Sequence, residues 1–139
     1  MSTEPATPTA PAAEAPGTSS GEPLLVVEDL HTSFRTTRGT VRAVDGVSFE
    51  VHPGTTLGIV GESGSGKTVL SRSIMGLLPA RDVVRSGTVT FGGRTLTEMS
   101  DTELRSVWGA ELSMIFQDPM TALNPVKRIG RQITESLRL

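Results

Sequence analysis

Cysteine is absent from the 139 residues, which excludes disulfides and thiolate metal sites within this stretch. No run of about 18 apolar residues occurs, so the sequence offers no membrane-spanning helix. The opening residues lack the basic region and apolar core of a secretory signal. The expected location is therefore cytoplasmic, with any membrane reached through a protein partner. Basic residues are not in excess: 13 Lys plus Arg stand against 15 Asp plus Glu, a net charge of -2. No strongly positive field exists to gather nucleic-acid phosphates, so no nucleic-acid partner is expected. The two histidines, His31 and His52, are too far apart in sequence to give a metal-ligand spacing. No internal repeat is visible.

What is present divides into a tail and an ordered part. Residues Met1 to Pro23 are rich in Pro, Ala, Thr, Ser and Glu and contain no Lys or Arg. Such a segment cannot bury enough apolar area to offset its ordering entropy, so a disordered Pro/Ala-rich tail is expected over 1–23. Leu24 to Val27 suits a strand, and Val41 to Val51 alternates apolar and polar residues, with Asp45-Gly46 as a turn or bulge and His52-Pro53-Gly54 as a turn. Together they predict a small antiparallel sheet. Thr56 to Val60 is a continuous apolar run, the pattern of a strand buried on both faces. A helix is expected from about Gly66 to Leu78, with Leu70, Ile74, Leu77 and Leu78 on one face and Pro79 ending it. Ser86 to Phe91 reads as a strand before a Gly92-Gly93 turn. Asp101 is the expected N-cap of a helix over Thr102 to Trp108, with Trp108 packing at its end. Leu112 to Phe116 is a second buried-strand candidate, and Val126 to Leu139 has helical spacing at Ile129, Ile133 and Leu137. Arg81, Asp82 and Arg85 read as a solvated loop.

The chemistry concentrates at Gly61-Glu62-Ser63-Gly64-Ser65-Gly66-Lys67-Thr68, which fits the phosphate-loop pattern G-x-x-x-x-G-K-[ST]. Glycines let the backbone curl so that successive N–H groups point at anionic oxygens. The start of the following helix also favours negative charge. Lys67 supplies a mobile point charge for the β- and γ-phosphates of ATP, and Thr68 a hydroxyl for Mg²⁺. At average residue frequencies such a match arises in well under ~1% of chains this long. The expected strand before it and helix after it weigh against a glycine-rich turn with an incidental lysine. A dinucleotide fingerprint beginning at Gly64 fails because its third glycine position is Val69. The loop alone does not choose among kinases, GTPases, helicases and transporter ATPases.

A second landmark, Met114-Ile115-Phe116-Gln117-Asp118-Pro119-Met120-Thr121-Ala122-Leu123-Asn124-Pro125, lies about fifty residues after Lys67. Taken with Gly58 to Thr68 and with Ala43-Val44-Asp45-Gly46-Val47-Ser48-Phe49, it resembles the ATP-binding subunits of ABC transporters, in particular the oligopeptide/dipeptide (and nickel) importer class. The resemblance covers about Leu24 to Leu139. It implies an α/β fold: a P-loop NTPase (RecA-like) core with a small antiparallel β subdomain. It implies ATP and Mg²⁺ as cofactors, held by Gly61, Glu62, Ser63, Gly64, Ser65, Gly66, Lys67, Thr68 and Val69. Gln117 matches the Q-loop glutamine, which reaches the Mg²⁺ and attacking-water region. Phe34 lies near the family's adenine-stacking aromatic, although a lone Phe serves equally as core. Met120 and Leu123 match a groove that receives a permease helix, or else pack ordinarily. Glu62 is a variable loop position and not a catalytic base.

The same resemblance implies a second ATPase subunit, two transmembrane permease subunits and an extracellular solute-binding protein as partners, with the protein peripheral on the cytoplasmic face of the plasma membrane. The family's Leu-Ser-Gly-Gly-Gln-type signature, Walker B strand and switch histidine do not occur before Leu139. The expectation is therefore an incomplete, N-terminal part of such a domain over 24–139, poorly soluble and without hydrolysis of its own, because phosphoryl transfer also needs a water-positioning group. A non-hydrolysing nucleotide-binding fragment and a soluble non-transport ABC ATPase are the alternatives.

Overall fold

The computed structural model describes residues 21–79, 81–117 and 123–134. The expected tail over 1–23 falls almost wholly outside them. Two long strands open the described chain, β1 (Leu25–Thr36) and β2 (Gly39–Val51), joined by a tight hairpin. Thr36 Oγ1 donates to the Gly39 carbonyl at 2.7 Å and accepts from the Arg38 amide at 3.3 Å, which closes the turn. After helix α1 (Lys67–Ile74), strands β3 (Val83–Phe91) and β4 (Arg94–Thr95) complete an antiparallel sheet in the order β2-β1-β3-β4. A single three-ten turn, Leu96–Glu98, leads to α2 (Asp101–Val107), and α3 (Ile129–Ile133) is the last described element.

The expected antiparallel sheet is therefore present, and the Asp45-Gly46 pair is a bulge within it. Leu30 pairs with Val47 and Thr32 with Val44, so β2 spends one extra residue there. A matching irregularity on β1 lies between Val27 and Leu30, where Asp29 adopts φ 47°. The core is the face covered by the helices: Val27, Leu30, Val44, Val89 and Phe91 from the sheet meet Leu70 of α1 and Leu104 and Val107 of α2. Each such side chain contributes about 1.5–3 kcal/mol through removal from water.

Several boundaries move for identifiable reasons. Helix α1 stops at Ile74, well short of Pro79, because Gly76 takes the left-handed conformation (φ 69°). The Gly76 amide donates to the Ser73 carbonyl and the Leu77 amide to the Arg72 carbonyl, the paired bonds of a glycine-terminated helix. Arg85 is not in a solvated loop. It lies on β3, and its Nη1 donates to the Ser73 carbonyl at 2.8 Å, a second bond to an oxygen at the end of α1 that also accepts from the Gly76 amide. Arg81 and Asp82 form an exposed ion pair at 3.6 Å, as a solvated turn should. The N-cap of α2 is Ser100, not Asp101: Ser100 and Glu103 cap one another reciprocally. Trp108 closes that helix, its Nε1 donating to the Met75 carbonyl at 2.9 Å and so binding α2 to the end of α1.

The two apolar runs expected as buried strands do not pair. Residues 56–60 form no ladder, and Val60 is 93% exposed. Of 112–116, Leu112 alone makes an isolated bridge, to Trp108, while Ile115 is 97% exposed. A parallel strand needs neighbours for its N–H and C=O groups, and all ladder bonds among the described residues belong to the antiparallel sheet. Apolar content predicts a drive towards burial, not the partner that provides it. The last helix is also shorter than expected: Ile129 and Ile133 are exposed, and Leu137 lies outside the described residues.

Candidate functional site

The segment from Gly61 to Gly66 curls back on itself and then enters α1. The Ser65 amide donates to the Glu62 carbonyl at 3.2 Å, and Gly64 and Gly66 sit at φ 82° and 90°. Gly66 is the N-cap of α1. Its α-carbon presses against β2 so closely that a Cβ there would overlap the carbonyl oxygen of Ala43. Glycine is thus required at this position twice over, by backbone angle and by lack of space.

Lys67 folds into the loop it follows. Its Nζ donates to the carbonyls of Gly61 (2.8 Å) and Glu62 (2.6 Å) and to Ser65 Oγ (3.2 Å). The ammonium group therefore lies at the centre of the curl, surrounded by oxygens that an anionic oxygen can replace. Glu62 contributes a carbonyl here, and its carboxylate makes no hydrogen bond or ion pair among the described residues. The first turn of α1 carries no acidic residue and no side-chain cap, which leaves its amides available to an anion. Thr68 is exposed in that turn, whereas Val69 packs its side chain against the hydrophobic core and offers only its backbone. A loop of amides, one lysine and one threonine hydroxyl is a donor set that fits a magnesium-bound polyphosphate.

Beside the loop lies an open cleft of about 320 Å³, with Ala43, Asp45 and Phe49 of β2 on one side and Ile59, Ser65 and Lys67 on the other. Phe34 is not among its lining residues. It sits half-buried in β1 opposite Val41 and Val83, directly after the last register shift, between Thr32 and Ser33. Gln117 is exposed and makes no hydrogen bond to Thr68 or the loop among the described residues. Its neighbour Phe116 is nevertheless tied to α1, with Arg72 Cζ 5.9 Å from the ring centroid. Leu123 is exposed, and Met120 lies outside the described residues.

A group that the sequence did not reveal stands next to this cleft, in an adjoining cavity that His31 lines and that shares Asp45 with it. His31 Nε2 lies 2.9 Å from Asp29 Oδ1, and Nδ1 lies 3.0 Å from Asp45 Oδ1. The pKa of His31 is raised above the usual histidine value, first by the Asp29 hydrogen bond and then by that of Asp45. Finding it requires knowing that two bulges bring positions 29, 31 and 45 together, which no spacing rule encodes. The pKa of Glu103 is lowered, chiefly by the Ser100 hydroxyl and then by the Ser100 amide.

Comparison with known proteins places this geometry in context. The family model described as "ABC transporter" matches residues 44–136, a span that contains the loop, α1 and Gln117. The chain is 54% identical over 117 residues to the dipeptide transport ATP-binding protein DppD of Bacillus subtilis, covering 84% of this chain and 35% of that protein. It is 50% identical over 115 residues to the oligopeptide transport ATP-binding protein OppD of the same organism, covering 82% and 32%. Against OppD of Haemophilus influenzae it is 47% identical over 117 residues, covering 84% and 36%. The chain thus spans about a third of the length of these curated relatives.

Proposed function

The chain belongs to the ABC transporter family, and from that premise we propose that it holds ATP for a subunit that drives peptide import through a membrane permease. Its P-loop NTPase fold class follows from the family. The observation that carries the proposal is the position of Lys67 Nζ, gathered by the Gly61 and Glu62 carbonyls at the mouth of α1. In this reading the loop amides and Lys67 hold the β- and γ-phosphates, and the Thr68 hydroxyl faces Mg²⁺. Gln117 would serve the same metal, and its neighbour Phe116 lies against Arg72 of α1. Bound Mg·ATP supplies an activated phosphoanhydride. The chain's own residues orient it and neutralise its charge. Phe34 serves adenine only if nucleotide binding draws it to the cleft.

Peptide as the cargo rests on the DppD and OppD relatives. Partners in the proposal are a second ATPase subunit, two permease subunits and an extracellular solute-binding protein, at the cytoplasmic face of the membrane. Among the described residues no helix is long and apolar enough to cross a membrane. The test is uptake of a labelled dipeptide by cells expressing the protein together with candidate permease and binding-protein subunits. Import that is lost on Lys67→Ala supports the proposal; import indifferent to that change contradicts it.

A further inference from the structure

We infer that His31, clamped between Asp29 and Asp45, is a positioning residue for the phosphate loop. The inference rests on the nucleotide-holding role proposed above. Asp29 sits in the irregular stretch of β1 and Asp45 in the bulge of β2, and the imidazole of His31 bridges them at 2.9 Å and 3.0 Å. The ring also rests on Gly46: a Cβ added there would meet His31 Cε1 at 3.4 Å. Both ring nitrogens face carboxylate oxygens, which only accept, so only the imidazolium satisfies both contacts.

The bridged segment is the one on which the loop leans. Asp45 lies two residues beyond Ala43, whose carbonyl abuts Gly66, and both line the cleft with Ser65 and Lys67. Holding Asp45 to His31 fixes the bulge, and through it the surface that sets the entry angle of α1. It also keeps the Asp45 carboxylate engaged at the edge of a cleft meant for anions. Among the described residues Arg42 on β2 also faces this cluster, its Nη1 3.6 Å from Asp45 Oδ2. From β3 the residue opposite His31 is the uncharged Ser86, while Arg85 is committed to the Ser73 carbonyl.

The sign follows from a charged clamp. His31 has a raised pKa, so the brace is complete below the usual histidine value and is lost as pH rises through the folded value. The test measures Mg·ATP affinity of the chain from about pH 6 to about pH 9, in the unsubstituted protein, His31→Gln, His52→Gln and Lys67→Ala. The glutamine variant carries the nucleotide's own titration, so the difference between profiles isolates His31. We expect His31→Gln to bind about threefold more weakly at low pH, the scale of an exposed charge pair, with the two profiles converging at high pH. His52→Gln should follow the unsubstituted protein. Superimposable profiles for His31→Gln and the unsubstituted protein, with Lys67→Ala still defective, would overturn the inference and leave the nucleotide role standing. No affinity in any of the four would overturn that role and the inference with it. Should His31→Gln fail to fold, the unsubstituted chain still decides: its Gly66 amide resonance should titrate with the midpoint of the His31 ring, and a Gly66 signal indifferent to that midpoint would refute the brace.

Discussion

Thr32 Oγ1 lies 2.8 Å from Ser73 Oγ, and both residues have no solvent exposure. Ser73 gives its own proton to the Val69 carbonyl at 2.8 Å, so Thr32 is the donor of the pair. A two-bond chain thus fastens the central strand to the helix that carries Lys67.

Removing one partner leaves the other buried without its bond. Thr32→Val should cost about 1–3 kcal/mol, as should Ser73→Ala, both read from denaturant or thermal unfolding. The double variant should cost less than the sum of the two, because the shared bond is lost only once. Strict additivity would show that the hydroxyl pair contributes nothing as a pair.

Gly66→Ala should be more damaging than its small size suggests. The residue must leave φ 90° or push the Ala43 carbonyl away, and an L-residue held in such a conformation costs about 1–3 kcal/mol. Because the strain falls on the N-cap of α1, nucleotide affinity should fall at least about tenfold while the sheet survives by circular dichroism. Wild-type affinity in Gly66→Ala would mean that the β2 contact does not shape the loop.

The Ser100–Glu103 capping box gives a pH-dependent prediction. Glu103 has a lowered pKa, so its contribution is complete above the usual carboxylate value and is lost as pH falls through the folded value. Thermal midpoints of the unsubstituted chain and Glu103→Gln should differ at neutral pH and meet in acid. Removing the cap with Ser100→Ala should cost about 0.5–2 kcal/mol at neutral pH. A gap between the Glu103→Gln and unsubstituted midpoints that stays constant into acid would contradict the assignment.

Local signals in this chain were legible where the chemistry was local. The glycine and lysine spacing of 61–68 located the loop, alternation located β2, and Asp45-Gly46 marked its bulge. The helix ends differ from the sequence expectation by a few residues because Gly76 and Ser100, and not Pro79 and Asp101, make the terminal bonds. Contacts that depend on register could not be read at all. These include the His31 clamp, Arg85 on the Ser73 carbonyl, and Ala43 beneath Gly66. The runs at 56–60 and 112–116 show the opposite failure: their composition speaks for burial, yet the described residues give them no neighbouring strand.

The most direct measurement is the affinity of this chain for Mg·ATP by titration calorimetry, with Lys67→Ala alongside. The account predicts saturable binding at one site and at least about tenfold weaker binding in the variant, the consequence of withdrawing a cation from a polyphosphate. Equal affinity in the two proteins, or none in the unsubstituted chain while its sheet is intact, would contradict it.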